Sequence, residues 1–114
     1  MAHYEHLPIY KAALDLCVYF ELIVRNFDRY HKYVLGSDLR KLSMKSVTLV
    51  IKANNTQGKL PVLLELKEIL EEIKVLIRIA REVKAFNNFK SFTVSVKMLD
   101  NILKQCAGWI KSQK

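Results

Sequence analysis

Residues 60–85 read LPVLLELKEILEEIKVLIRIAREVKA, and this stretch decides the fold. Leu63, Leu66, Leu70, Ile73, Ile77 and Ala80 recur at spacings of three and four. That places them on one face of an α-helix, and it cannot place them on one face of a strand. Val62, Ile69, Leu76 and Val83 repeat at seven on the adjoining face. Pro61 stands near the first helical position, where its missing N–H would have no intrahelical partner. Glu65, Glu68, Glu71 and Glu72 fill the first half, which suits the positive end of the helix dipole. Lys74, Arg78, Arg81 and Lys84 fill the second half and suit the opposite end.

Working outward, this helix is the third of four. The stretch before it, Asn54-Asn55-Thr56-Gln57-Gly58-Lys59, is the most turn-rich in the chain. A second helix precedes that turn, from about Asp38 to Ala53. Leu39, Leu42, Leu49 and Ala53 form its apolar series, with Val47, Val50 and Ile51 beside them. A first helix starts near Leu7 or Pro8. Ile9, Ala13, Leu16, Phe20, Ile23, Phe27 and Tyr30 carry its stripe to about His31 or Lys32. The break between those two is expected at Val34-Leu35-Gly36-Ser37-Asp38. Gly36 there would take the left-handed conformation that ends a helix. Ser37 or Asp38 would cap the next one. After a third break at Phe86-Asn87-Asn88-Phe89-Lys90, a fourth helix runs from about Ser91. Phe92, Val96, Leu99, Leu103, Cys106 and Ile110 form its stripe, with Met98, Ile102 and Trp109 beside it. Four helices joined by short loops predict an all-α, antiparallel up-down-up-down four-helix bundle, one domain spanning residues 1–114.

Composition agrees. The chain has 114 residues, of which 51% are hydrophobic, with only three Gly and two Pro. An all-β sandwich or barrel would need far more turn material. Disordered and low-complexity classes are excluded by the apolar content. The opening MAHYEHLP has no basic region followed by an apolar stretch, so no signal peptide is expected. No uncharged apolar run approaches a membrane span. Cys17 and Cys106 form no CxxC pair and no secreted-type framework, which fits a reducing cytoplasmic setting.

Two features remain once a core is filled. The apolar arc of the third helix sweeps about 160° on a wheel advancing about 100° per residue, wider than one bundle face requires. Leu64, Val75 and Ile79 lie outside even that arc. On the first helix, Leu14, Val18 and Leu22 lie opposite the main stripe. Two helices with two apolar faces each point to a homo-oligomer. The second feature is charge. Nineteen Lys/Arg against eleven Asp/Glu give a formal net charge of +8. A surplus this large on a small domain favours polyanionic partners. Lys67, Lys74, Arg78 and Arg81 fall within about 60° of one another on the third helix. The segment Arg25 to Lys45 holds six Lys/Arg and two acids, with Tyr30, His31 and Tyr33 among them. Cations neutralise phosphates, and aromatics can stack on unpaired bases. The alternative for the aromatics is that Tyr30 and Tyr33 close the end of the core. The candidate nucleic-acid-binding residues are Arg25, Arg29, Lys32, Arg40, Lys41, Lys74, Arg78 and Arg81.

No catalytic constellation is visible. His3 and His6 stand three apart, but no cysteine or carboxylate cluster accompanies them. There is no Glu-x-x-His pattern of the kind that builds a di-iron site inside a bundle. Gly36, Gly58 and Gly108 are isolated and form no phosphate loop. No cofactor, metal, small-molecule substrate or enzymatic activity is expected.

Several stretches in order resemble one known family: HLPIYKAALDL (residues 6–16), LGSDLRKL (35–42), IKANN (51–55), REVKAFNNFKSF (81–92) and GWIK (108–111). Together they resemble Avd, the accessory variability protein of diversity-generating retroelements. That family is related to the four-helix proteins encoded by intervening sequences in bacterial 23S ribosomal RNA genes. The resemblance implies a homopentameric barrel of four-helix protomers with a basic surface. It also implies a non-catalytic subunit that binds the element's reverse transcriptase and RNA, and DNA as well, in support of mutagenic retrohoming. The LGSDLRKL match makes Arg40 and Lys41 candidates for that binding. An intervening-sequence relative, or a protein-interaction scaffold without a retroelement role, would keep the same fold.

Overall fold

The computed structural model describes residues 3–113. A 3-10 turn, Tyr4–His6, leads into α1, Pro8–Val24. A short turn of helix, α2 (Arg29–His31), runs directly into a π-helical segment, Lys32–Gly36, and then into α3, Ser37–Asn54. The long helices α4, Leu60–Glu82, and α5, Phe89–Lys111, complete the chain. Among the described residues there is no strand. The four long helices form the antiparallel bundle that the periodicity predicts. In it α1 and α4 each pack against α3 and α5. The molecule measures 43 × 24 × 21 Å. Among the described residues, no helix is long and apolar enough to cross a membrane.

The core follows the stripes closely in α1 and α4. Ile9, Ala13, Leu16, Phe20 and Ile23 are buried, as are Leu63, Leu66, Leu70, Ile73, Ile77 and Ala80. In α3 and α5 the buried line is displaced toward serines. Ser43 and Ser46 are fully buried between Leu39 and Leu49, and Ser95 is buried before Leu99, Ile102 and Cys106. Leu42, Phe92, Val96, Leu103 and Ile110 are only partly covered. The serine hydroxyls carry no penalty because each donates within its own helix. Ser43 donates to Arg40 O at 3.0 Å, Ser46 to Ser43 O at 2.7 Å and Ser95 to Ser91 O at 2.8 Å.

The first break lies ten residues earlier than the glycine suggests. α1 ends at Val24, and the chain turns through Arg25–Asp28. Asp28 restarts the helix: its backbone is extended, and its side chain accepts the His31 N–H at 2.9 Å. Gly36 does not end a helix at all. Its backbone is right-handed helical, φ −62° and ψ −41°, inside an uninterrupted helical run. Glycine is needed there for room, since a Cβ at position 36 would stand 2.6 Å from Val24 Cγ1. Phe27 remains buried beyond the end of α1, whereas Tyr30 and Tyr33 point to solvent and do not close the core.

The other two breaks lie where the turn residues put them. Lys59 closes α3: its ammonium donates to Ala53 O at 2.9 Å, Thr56 O at 2.7 Å and Asn54 O at 3.3 Å. That satisfies carbonyls which a helix end leaves free. α4 ends in a Schellman arrangement, with Lys84 N–H on Arg81 O at 3.1 Å and Ala85 N–H on Ala80 O at 2.8 Å. Lys84 holds the left-handed position at φ 60°. Asn88 then caps α5, accepting the Ser91 N–H at 2.8 Å. The helix therefore begins at Phe89, two residues before the sequence expectation.

Candidate nucleic-acid interface

Antiparallel packing gathers the end of α1, the start of α3, the end of α4 and the start of α5 at one end of the bundle. The cations there are Arg25, Arg29, Lys32, Arg40 and Lys41 from the first half of the chain, and Arg78, Arg81, Lys84 and Lys90 from the second. The acids are Glu21, Asp28, Asp38 and Glu82, so nine cations face four acids, an excess of five. The two segments that the sequence separates by some forty residues thus share one end. Phe27 and Phe86 tie their loops together, ring edge to ring face, with centroids 5.6 Å apart.

The α1–α3 side of this end is built around an ion pair. Arg40 Nε donates to Glu21 Oε2 at 2.7 Å. That hydrogen bond and the charge behind it raise the guanidinium above its ordinary range. Glu21, Val24, Arg25, Lys32 and Arg40 surround an open depression of about 190 Å³. Arg29 and Lys41 are exposed outside it. Tyr30 and Tyr33 are 78% and 70% exposed in the same segment.

On the α4–α5 side, Arg81 lies over two rings, 4.9 Å from the Phe92 centroid and 5.6 Å from that of Phe89. The attraction between a cation and the ring faces holds the guanidinium in place. Phe89 keeps 63% of its surface open. Lys74 and Arg78 stand on the rim of a groove between α4 and α5 that leads away from this end. Ile77, Phe92, Val96 and Leu99 floor its first part, of about 480 Å³, with Lys97 and Asp100 on the facing rim. The groove continues past Leu103 and Ile110 into a second depression of about 570 Å³, bordered by Lys67, Glu71, Lys104 and Lys111.

The eight candidates therefore do not converge on one spot. Arg25, Lys32 and Arg40 meet. Lys74 and Arg78 share a groove rim. Arg81 is held by phenylalanines, and Arg29 and Lys41 stand apart in solvent. The sequence reading missed the facing rim of the groove. Lys90, Lys97, Lys104 and Lys111 recur at a strict interval of seven, a signal available in the sequence but scattered among the apolar positions of α5. Among the described residues, no group of three or more His, Cys, Asp or Glu could hold a metal ion.

No curated protein matches the chain closely enough to count as a relative. A protein-family model described as bAvd-like matches residues 8–113, a span that takes in α1 through α5 and both sides of the basic end. The chain belongs to the bAvd-like family.

Proposed function

We propose that the protein is a non-catalytic, Avd-type accessory subunit that binds nucleic acid through its basic end and supports a reverse transcriptase in mutagenic cDNA synthesis. Family membership supports the accessory role. The observation that carries nucleic-acid binding is the excess of positive charge that antiparallel packing leaves at one end of the bundle, where Arg25, Lys32 and Arg40 border one depression and Arg81, Lys84 and Lys90 stand on the neighbouring helices. A concentrated positive field attracts phosphates and releases their counterions on contact. The subunit works in a reducing cytoplasm as a homopentamer of single-domain protomers. Support for assembly comes from Val18, Leu22, Leu64, Val75 and Ile79, which are large apolar side chains left open on the outer faces of α1 and α4. Five copies would repeat the basic end around an axis and turn a weak contact into a multivalent one.

The test is binding to RNA across a salt series. Affinity should fall steeply as salt rises, and Arg25→Glu with Lys32→Glu should lower both affinity and the steepness of that fall. Binding that ignores salt would remove the phosphate reading. A second reading, a scaffold for an acidic protein partner, draws on the groove between α4 and α5, whose apolar floor lies between basic rims. Capture from nuclease-treated lysate separates the two, because a protein partner survives nuclease and a bridging RNA does not.

A further inference from the structure

Tyr30 and Tyr33 are not used by the core, and their surroundings say what they are for. Both rings rise from backbone fixed at its two ends. Upstream, Asp28 accepts the His31 N–H at 2.9 Å through its side chain and the Lys32 N–H at 2.8 Å through its carbonyl. Downstream, the π-helical segment closes at Gly36, packed against Val24 so tightly that no Cβ fits. The Tyr30 ring also meets the His31 ring edge-on, with centroids 5.1 Å apart and planes at 77°. That contact steadies it and leaves it open. A ring presented this way loses little freedom when it binds.

Cations neighbour the rings in the chain: Arg29 precedes Tyr30 and Lys32 precedes Tyr33, and Lys32 shares its depression with Arg25. Lysines such as Lys32 are depleted at protein–protein interfaces. Grooves that hold single-stranded nucleic acid alternate cations with aromatic platforms. A duplex keeps its base faces stacked inside and offers an exposed ring nothing to lie against. An unpaired base does. We infer that the basic end is a single-strand site, where Tyr30 and Tyr33 stack on unpaired bases of RNA or DNA while Arg25, Arg29 and Lys32 neutralise the flanking phosphates. The inference rests on the nucleic-acid reading above and narrows it to one ligand class.

Fluorescence anisotropy on the full chain tests it, with a labelled unstructured oligonucleotide, as RNA and as DNA, and with the matching duplexes. The expected result is single-strand binding about a hundredfold tighter than duplex binding, about tenfold for each ring. Tyr30→Ala with Tyr33→Ala should abolish that preference, costing about tenfold in single-strand affinity per ring and leaving duplex affinity unchanged. Tyr30→Phe with Tyr33→Phe should retain the preference, and the leucine pair should lose it. Because both side chains lie in solvent, the variants should keep the helical circular dichroism of the parent. Equal affinity for single strand and duplex, or a double alanine variant that binds single strands like the parent, would overturn the stacking site and leave nucleic-acid binding standing. Failure of the parent to bind any of the probes would overturn both. Loss of assembly in the alanine variant, with single-strand affinity per chain intact, would reassign the rings to a subunit contact.

Discussion

The two helical glycines should respond to the same substitution with opposite signs. Gly108 lies inside α5 with nothing within 4 Å of a new Cβ. Gly108→Ala should stabilise the fold by about 1 kcal/mol, the ordinary gain in helix propensity. Gly36→Ala would set a methyl 2.6 Å from Val24 Cγ1, and Val24 is buried. The overpacking should outweigh propensity and cost about 1–3 kcal/mol. Urea denaturation measures both, and the cost should shrink in a Val24→Ala background. Lys84 offers a third case, since it holds a left-handed position at φ 60°. Lys84→Gly should raise stability by about 1 kcal/mol. Cys106 is set apart by its surroundings. Burial pushes its thiol up from 9.0 to about 11, so at neutral pH it is protonated and inert. A thiol reagent should modify half-buried Cys17 first. The sign of the linkage is that of a raised pKa. The stability held by the neutral thiol is complete below pH 9.0 and is lost as pH climbs toward about 11. Cys106→Val should flatten the stability profile across that window.

Helix ends, more than helix faces, decide how much of this architecture the sequence reveals. Where the turn residues are the boundary, as at Asn54–Lys59 and Phe86–Asn88, the expected limits agree with the structure to within two or three residues. Asn88→Ala should cost about 1 kcal/mol, read as a lower thermal midpoint, because its side-chain amide oxygen accepts the free Ser91 N–H in the first turn of α5. The first boundary is different. The apolar rhythm continues through Phe27, which is buried beyond the end of α1, so periodicity runs on past the real turn. Gly36 imitates a stop signal for a steric reason that only the position of Val24 explains. Asp28 carries the cap, and Asp28→Ala should loosen α2 while leaving α4 and α5 protected in hydrogen exchange. The faces of α3 and α5 were offset for a related reason. Hydropathy does not register Ser43, Ser46 or Ser95 as interior residues, yet intrahelical hydrogen bonds let them pack there. The candidate site was legible as two charged segments. Their meeting at one end follows from the antiparallel order, but how the side chains divide there was not legible, because the Arg40–Glu21 pair and the seating of Arg81 on Phe89 and Phe92 depend on packing.

At the scale of the whole molecule, the outer apolar faces of α1 and α4 and the surplus charge occupy different places. Val18, Leu22, Leu64, Val75 and Ile79 lie along those faces, whereas positive charge concentrates at one end, together with the open Tyr30, Tyr33, Val34, Val83 and Phe89, and along the groove between α4 and α5. The proposed side-by-side assembly would use those faces and leave the depression lined by Arg25, Lys32 and Arg40 open. Light scattering should find a species several times the 13.3 kDa chain mass, and Val18→Lys with Leu22→Lys should reduce it toward one chain while helicity persists. The π-helical segment bears on how such a molecule can vary. A π turn is a helix holding one residue more than regular winding allows. Removing one residue between Lys32 and Gly36 would let the winding become regular and leave α3 where it is. Everything from Arg29 to Tyr33 would then swing by about 100° around the helix axis. Single-residue length changes at this point would thus re-aim the tyrosines and their cations as a block, so binding preference could shift between relatives without a single substitution in the core.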